Sequence, residues 1–339
     1  MRLHLYIAAL ALLLGGCAQK ITKEPKTLEN LSHFAVQTLP LAPKEASRAY
    51  NRFLSKRYMP WQIDKINASM EEIRWGERFI LKNKIFSFNR KPLKRGELNR
   101  VIVNSNYGSI NILRKRAITI YPSNLRLFPS SKPLFLDPSM PGEGYPFDYN
   151  QNSAIKAMTP LFVSHLSLDG GWAFVQTPFA LGWLPIRDIA YLDKSETLKI
   201  MGLENVVIVS DNTPIYDAKQ NFLFYAKIGS IFPAVGEQKG FYEILIPKKA
   251  EDRALFQKSL IPASKAKRMP LDMSKENIFA VAEELLGEPY GWGGVAGGRD
   301  CSAMTRDFFA PFGIWLPRNS AKQAKEGEVV ELSGLSDKE

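Results

Sequence analysis

The stretch GWGGVAGGRDCSAMTRDFF, Gly291 to Phe309, sets a single cysteine between a glycine-rich turn and a helical pattern. Asp300 is of a type that caps helix N-termini, so the sequence predicts a helix from Cys301 with Met304, Phe308 and Phe309 buried. A thiol in the first turn of a helix meets unpaired backbone N–H groups and the positive end of the dipole, and both favour a thiolate. The glycines at 291, 293, 294, 297 and 298 would let the chain approach a substrate closely, with Tyr290 and Trp292 as an aromatic wall. No Gly-Lys-Ser or Gly-Lys-Thr follows the glycines and no strand-to-helix nucleotide fingerprint surrounds them, which argues against a phosphate cradle. One cysteine without a nearby histidine cannot make a zinc site, so neither metal nor cofactor is expected. Spacing alone leaves Cys301 open between a reactive nucleophile and an inert buried thiol.

Immediately upstream, SKENIFAVAEELLGEPY reads as a one-faced helix. Ile278, Val281, Ala282, Leu285 and Leu286 recur at helical spacing, Ser274 is the expected N-cap, and Gly287 with Pro289 stops the run. Further back come two sets of short strands. Ile155 to His165, WAFVQ, LGWLP and DIAYL form the first; NVVIVS, TPIYD, FLFYAKIGSIFPAV and FYEILIP form the second. Their spacing and the turn residues between them suggest two small barrels of related rhythm, at 151–195 and 200–265. Residues 45–150 read as a mainly helical domain, and Pro60 is expected to divide its first helical run into two. The basic segment KNKIFSFNRKPLKR, with Phe86 and Phe88 interleaved, is read as a solvated rim.

The N-terminus is of a different kind. Arg2 precedes an apolar run, Leu5 to Leu14, that is too short to span a bilayer, and small residues then precede Cys17. This matches a secretory signal peptide at 1–16, and Leu14-Gly15-Gly16-Cys17 resembles a bacterial lipobox, which implies a lipid anchor on Cys17. Residues 17–44 would be a tether to the folded body. Ala18 after the cysteine implies, by the same resemblance, the periplasmic face of the outer membrane. With Cys17 acylated, Cys301 is the only thiol left and no internal disulfide can form. The chain of 339 residues has a net charge of +11. Export makes nucleic acid an unsuitable partner for that charge and leaves anionic cell wall, lipid headgroups or simple solvation.

Three blocks together carry a family resemblance: Gly287-Glu288-Pro289-Tyr290-Gly291-Trp292-Gly293-Gly294, then Asp300-Cys301-Ser302, then Leu316-Pro317-Arg318-Asn319-Ser320 with Gln323. They resemble the NlpC/P60 cell-wall cysteine peptidases. Upstream, GEGYPFDYNQ and SHLSLDGGWAFVQTPFALGWLP resemble the architecture in which a helical clip domain and two bacterial SH3 domains precede the peptidase. The fold class implied is multidomain α+β: helical clip, two SH3-like barrels, and the N-terminal half of a papain-like α+β peptidase domain at 275–339. The resemblance implies hydrolysis of peptidoglycan stem peptides between γ-D-glutamate and the following diamino acid. It makes Cys301 the nucleophile, with Tyr290 beside it shaping the oxyanion or substrate site. Asp300 fixes the turn that presents Cys301, Trp292 lines the site, and Ser302 would bind the glutamyl carboxylate. Ser320 is kept from the pattern, while Asn319 stands where relatives that bind a free amine hold an aspartate.

A nucleophilic cysteine needs an adjacent base. The histidines are His4, His33 and His165, and none follows Cys301, so the chain as it stands lacks the catalytic histidine that the resemblance implies and is expected to be inactive. His165, in a barrel strand among apolar neighbours, reads as structural. Two explanations remain: a truncated copy of an active peptidase, or a full-length binding lipoprotein that holds peptidoglycan with its clip and SH3 domains. The first is preferred, because Tyr290, Cys301 and Ser302 are retained and a half-domain would expose apolar faces of its helices.

Overall fold

A computed structural model describes residues 42–327, all within the compact unit Leu39–Glu339. The expected signal peptide, the Cys17 anchor, nearly all of the tether and the last residues of the peptidase segment lie outside the described residues. No described helix is long and apolar enough to cross a membrane.

The chain enters through helix α1 (Pro43–Gln62), with proline in its first turn and Pro60 inside it. The expected break at Met59-Pro60-Trp61-Gln62 is seen: α1 ends at Gln62, and helix resumes only at Met70. Pro60 sits in the last turn, where the helix continues only to Gln62 and closes with Ile63 N–H donating to the Met59 carbonyl. A proline so close to the end disrupts little that has to follow it. The clip continues with α2 (Met70–Ile73), opened by a Ser69–Glu72 capping box, then α3 (Trp75–Lys82) and α4 (Arg95–Asn104). Ile80, Ile85, Leu98, Phe128 and Leu134 form its core. Within the basic segment Phe86 is buried and pairs with Phe135, while Phe88 stays exposed.

The first barrel begins earlier than the expected residue 151. Its strands are β1 (Lys115–Thr119), β2 (Ser123–Arg126), β3 (Gln151–Ile155), β4 (Pro160–Leu166), β5 (Trp172–Gln176), β6 (Leu181–Pro185) and β7 (Ile189–Leu192). Strand β1 lies between β4 and β7, and β2 between β3 and β6. The two strands that the sequence reading gave to the clip therefore complete the barrel. The prolines around them hid their period, because strands so short show their alternation only when paired.

After α5 (Lys194–Met201) the second barrel is built from β8 (Glu204–Ile208), the hairpin β9 (Thr213–Tyr216) and β10 (Phe222–Ala226), β11 (Ile231–Gln238), β12 (Phe241–Ala250), β13 (Arg253–Pro262) and β14 (Ala266–Arg268). The barrels meet edge to edge at a single parallel pairing, Arg253 with Tyr191. So slight a backbone seam needs another clamp, and α1 supplies it. Trp61 Nε1 donates to the Ala117 carbonyl of the first barrel at 2.8 Å, and Tyr58 hydroxyl to Asn205 Oδ1 of the second at 3.2 Å.

His165 is the only histidine among the described residues and is 2% exposed inside the first barrel. Nδ1 lies 3.1 Å from Ser164 Oγ and Nε2 3.0 Å from the Ser105 carbonyl, and Phe174 and Trp183 pack their rings against it. Burial pushes its pKa below the ordinary 6.5, against the opposing pull of the Ser105 carbonyl. As pH falls below 6.5, the unfolded chain therefore takes up a proton that the native barrel resists, and native stability declines. Urea unfolding should show lower stability at pH 5.5 than at 7, with the difference reduced in His165→Gln. An undiminished slope in that variant would assign it to other groups.

Candidate active site

From residue 275 the chain forms α6 (Lys275–Glu283), a 3-10 turn at Trp292–Gly297, α7 (Cys301–Phe309) and the short α8 (Ser320–Gln323). Ser274 caps α6 by accepting from Asn277 N–H, as expected. Helix α7 starts at Cys301 because Asp300 Oδ1 accepts from Ala303 N–H at 2.9 Å. The thiol is free and exposed, which removes the reading of an inert buried cysteine. The expected burial of the apolar residues is corrected: Met304 is 45% exposed and Phe308 and Phe309 are half-buried. They lie on faces of α7 that the described elements cover only in part, whereas Ser302 and Asp307 point inward.

Asp300 does far more than cap. Its second oxygen accepts from Gly293 N–H at 3.0 Å, and the Arg318 fork grips both oxygens at 2.9 and 2.5 Å. Arg318 Nη1 also donates to Ser302 Oγ at 2.7 Å, and its Nε to Ser153 Oγ of β3 at 2.9 Å. Burial alone would raise the Asp300 pKa, but the Arg318 hydrogen bonds and charge outweigh it and hold the carboxyl below its usual range. The expectation that Ser302 and Asp300 contact substrate meets a different arrangement. Ser302 is 6% exposed and donates to Asp300 at 3.1 Å, so both residues are spent on holding the cysteine turn.

Tyr290 is 56% exposed, close enough to Asp300 and Cys301 for their negative charge to act on it. Partial burial first, and then those two neighbours, raise its pKa above the ordinary phenol value. Trp292 is half-buried rather than an open wall, with ring centroids 5.5 Å from Phe147 and 5.8 Å from Tyr149. Asn319 and Ser320 are exposed; Asn319 caps α8 by accepting from Lys322 N–H at 3.2 Å. Gln323 fastens α8 through its side-chain amide to the carbonyls of Ser302 and Pro317.

Gly293 and Gly294 serve docking on the first barrel, while Gly291 and Gly298 pack backbone to backbone on each other and Gly297 faces open space. Gly293 and Gly294 have φ of 57° and 89°, and a Cβ on Gly294 would stand 2.4 Å from the Ala154 side chain of β3. On Gly293 it would stand 2.9 Å from the Gln151 carbonyl oxygen, and Gln151 Nε2 in turn donates to the Gly293 carbonyl at 3.0 Å. The loop thus lies backbone to backbone on the first barrel, an approach only glycine permits.

Two arginines were missed by sequence reasoning. Arg318 lay inside a quoted motif without a role. Arg299, two residues before the cysteine, is buried with its side chain 4% exposed. It donates through Nε to Asp307 at 2.7 Å and through its fork to Asp211 of the second barrel at 2.6 and 2.8 Å, and also pairs with Glu288. The only signal in the sequence was a charged residue following a glycine pair directly before Asp-Cys.

Among the described residues no hydrogen-bond partner approaches the Cys301 sulfur as a base, and His165 is enclosed in its barrel. No described group of His, Cys, Asp or Glu could hold a metal ion. Because Arg318 joins Asp300, Ser302 and β3 through nearly buried contacts, Arg318→Ala should cost about 3 kcal/mol in urea unfolding. Arg318→Lys should recover only part of it, since an ammonium cannot reproduce the two-pronged contact. Full recovery by lysine would show that charge, not the fork, is what the site uses.

Models of four families match in order along the chain: the NlpC/P60 stabilising domain at 6–109, an SH3 domain of SH3b1 type at 133–185, an SH3 domain of SH3b2 type at 199–239, and the NlpC/P60 family at 287–337. A γ-D-glutamyl-L-lysine dipeptidyl-peptidase of Bacillus subtilis is 29% identical over 107 residues, covering 31% of this chain and 34% of that protein. One of the same name from Bacillus cereus is 24% identical over 162 residues, covering 45% and 46%. The matches thus span less than half the length of these curated relatives. A solved NlpC/P60 endopeptidase from Photobacterium damselae subsp. piscicida superposes with a TM-score of 0.73 at 26% identity, covering 86% of this chain and 68% of that one. Domain for domain, then, the chain carries in order segments that match the NlpC/P60 stabilising domain, two SH3 domains and the NlpC/P60 family.

Proposed function

We propose that this chain is a peptidoglycan stem-peptide hydrolase in which Cys301 is the nucleophile. The observation that carries the reading is the exposed Cys301 thiol at the first turn of an Asp300-capped helix, beside Tyr290. The names of the two Bacillus relatives support a scissile amide between γ-D-glutamate and the following diamino acid. In that reaction the Cys301 sulfur attacks the γ-carbonyl carbon, and the carbonyl oxygen carries the developing negative charge. Collapse breaks the carbon–nitrogen bond, the amine leaves with a proton, and water then splits the thioester to free the carboxylate. Tyr290 stands beside the nucleophile to hold the substrate or the oxyanion. Asp300, Ser302 and Arg318 act by fixing the turn, while Asn319 and Ser320 offer polar contacts at the exposed start of α8.

A second reading, a peptidoglycan-binding lipoprotein without catalysis, is favoured by one observation: no described residue brings a base to Cys301. In either reading we place the protein on the periplasmic face of the outer membrane, anchored through acylated Cys17, with stem peptides as its partner.

Muropeptide digestion followed by mass analysis separates the two. The hydrolase reading expects products split after γ-D-glutamate from the chain extended by the family's histidine-bearing segment, and none from the same protein with Cys301→Ala. That substitution is exposed and should change stability by less than about 0.5 kcal/mol. Intact muropeptides with the extended protein, together with retention on purified sacculi by both proteins, would establish the binding reading instead. Equal cleavage by the variant would remove Cys301 from the mechanism.

A further inference from the structure

Helix α7 has two opposed faces. Cys301, Met304, Thr305 and Phe308 share one, and Ala303, Arg306, Asp307 and Ala310 share the other, each set at the i, i+3, i+4, i+7 spacing of a single stripe. The second face closes on a cavity of about 430 Å³ between the two barrels and α1. Cys301 itself does not line it, although Arg299, Ala303 and Arg318, which hold the cysteine turn, do.

The charges in its wall do not balance. Six cations line the cavity: Arg57, Lys156, Lys227, Arg299, Arg306 and Arg318. Four of them pair with carboxylates: Lys156 with Asp307, Lys227 with Glu288, Arg299 with Asp211, Asp307 and Glu288, and Arg318 with Asp300. Those four carboxylates offset four charges and leave two. Arg57 and Arg306 have no carboxylate partner among the described residues. Arg57 Nη2 donates to the carbonyls of Met158 and Ile231 at 2.8 and 3.2 Å, and its buried Nε has no partner at all. Arg306 Nε donates to the Leu316 carbonyl at 3.0 Å, and the guanidinium lies 3.9 Å from the Phe179 ring centroid, which leaves its terminal fork unpaired. Burial lowers the pKa of both, Arg306 to about 10.

Arg57 keeps a buried Nε without a partner, and Arg306 feels Asp307 and Asp300 only through space, so an anion reaching both guanidinium groups would be favoured. The cavity is also far larger than a bare ion, with Phe53, Ile155, Phe224 and Trp315 in its wall beside the charges. We propose that this inter-barrel cavity binds a small organic dianion of the dicarboxylate class, held by Arg57 and Arg306. Hydrolysis of a γ-glutamyl amide releases a carboxylate close to an existing one, a product of this class. The site assignment itself does not rest on the catalytic reading, because binding and cleavage are measured separately.

The test uses the wild-type chain with glutarate, its neutral isostere glutaramide, and inorganic phosphate. Calorimetric titration and thermal unfolding should show saturable binding of glutarate, with a rise in Tm of at least about 2 °C, and no response to glutaramide. Arg57→Met and Arg306→Met should each weaken glutarate binding at least about tenfold. Equal responses to glutarate and glutaramide, or none to either, overturn the proposal in the wild type alone, whether or not the variants fold. Phosphate binding as tight as glutarate would overturn the dicarboxylate assignment, and undiminished binding by both folded variants would overturn the site.

Discussion

The position of Cys301 depends on the buried guanidinium of Arg299. It joins three separate parts of the chain: Asp211 in the second barrel, Glu288 before the glycine loop, and Asp307 on α7. Burying an arginine in this way is tolerable only if its charge is matched and its donors are used. Both conditions hold. Lys227 and Lys156 join the same cluster, so three cations face three carboxylates. Burial would raise the pKa of Asp211 and Asp307, yet their cationic neighbours hold both below the ordinary carboxylate range. Lys156 shows the cost of the arrangement: burial outweighs its Asp307 partner and lowers its pKa to about 8.

With Arg299 fixed, the geometry two residues later follows. Asp300 is gripped by Arg318, Arg318 reaches Ser153 on the first barrel, and the glycine loop lies on β3 of the same barrel. One barrel therefore holds the residue before the cap, the other holds the cap, and α1 ties the barrels together through Tyr58 and Trp61. The SH3 domains act here as the bed in which the Cys301 helix is set, through contacts that belong to side chains and glycine backbone rather than to a shared sheet.

Local features were legible in the sequence because their causes are local. Asp300 and Ser274 cap the helices they precede, since a cap needs only a side-chain oxygen that accepts from a backbone N–H three residues on. The strands of the second barrel up to β12 stood out for the same reason, as apolar runs between turns, whereas β13 and β14 did not. What was not legible depends on partners distant in the chain. The glycines of the cysteine loop look the same in sequence whether they face a substrate or Ala154, and only the 2.4 Å approach of a hypothetical Cβ to that side chain decides. Ser302 looked like a binding residue until Arg318, sixteen positions on, was seen to hold it. Strands β1 and β2 hid among prolines because their pairing partners lie dozens of residues away.

The same docking that secures α7 also dictates how chemistry reaches it. The face bearing Ala303, Arg306 and Asp307 is committed to the barrels and their cavity, so Cys301 is accessible only across the opposite face, beside Tyr290 and Met304. Under the proposed hydrolase reading, substrate and base would meet the sulfur from that side. His165 is excluded by geometry: its ring nitrogens face Ser164 and the Ser105 carbonyl within the first barrel, under Trp183 and Phe174. Bringing it to Cys301 would require opening the barrel whose strand β3 holds both Arg318 and the glycine loop. A rearrangement that delivered the base would thus release the cysteine turn that the base is needed to activate.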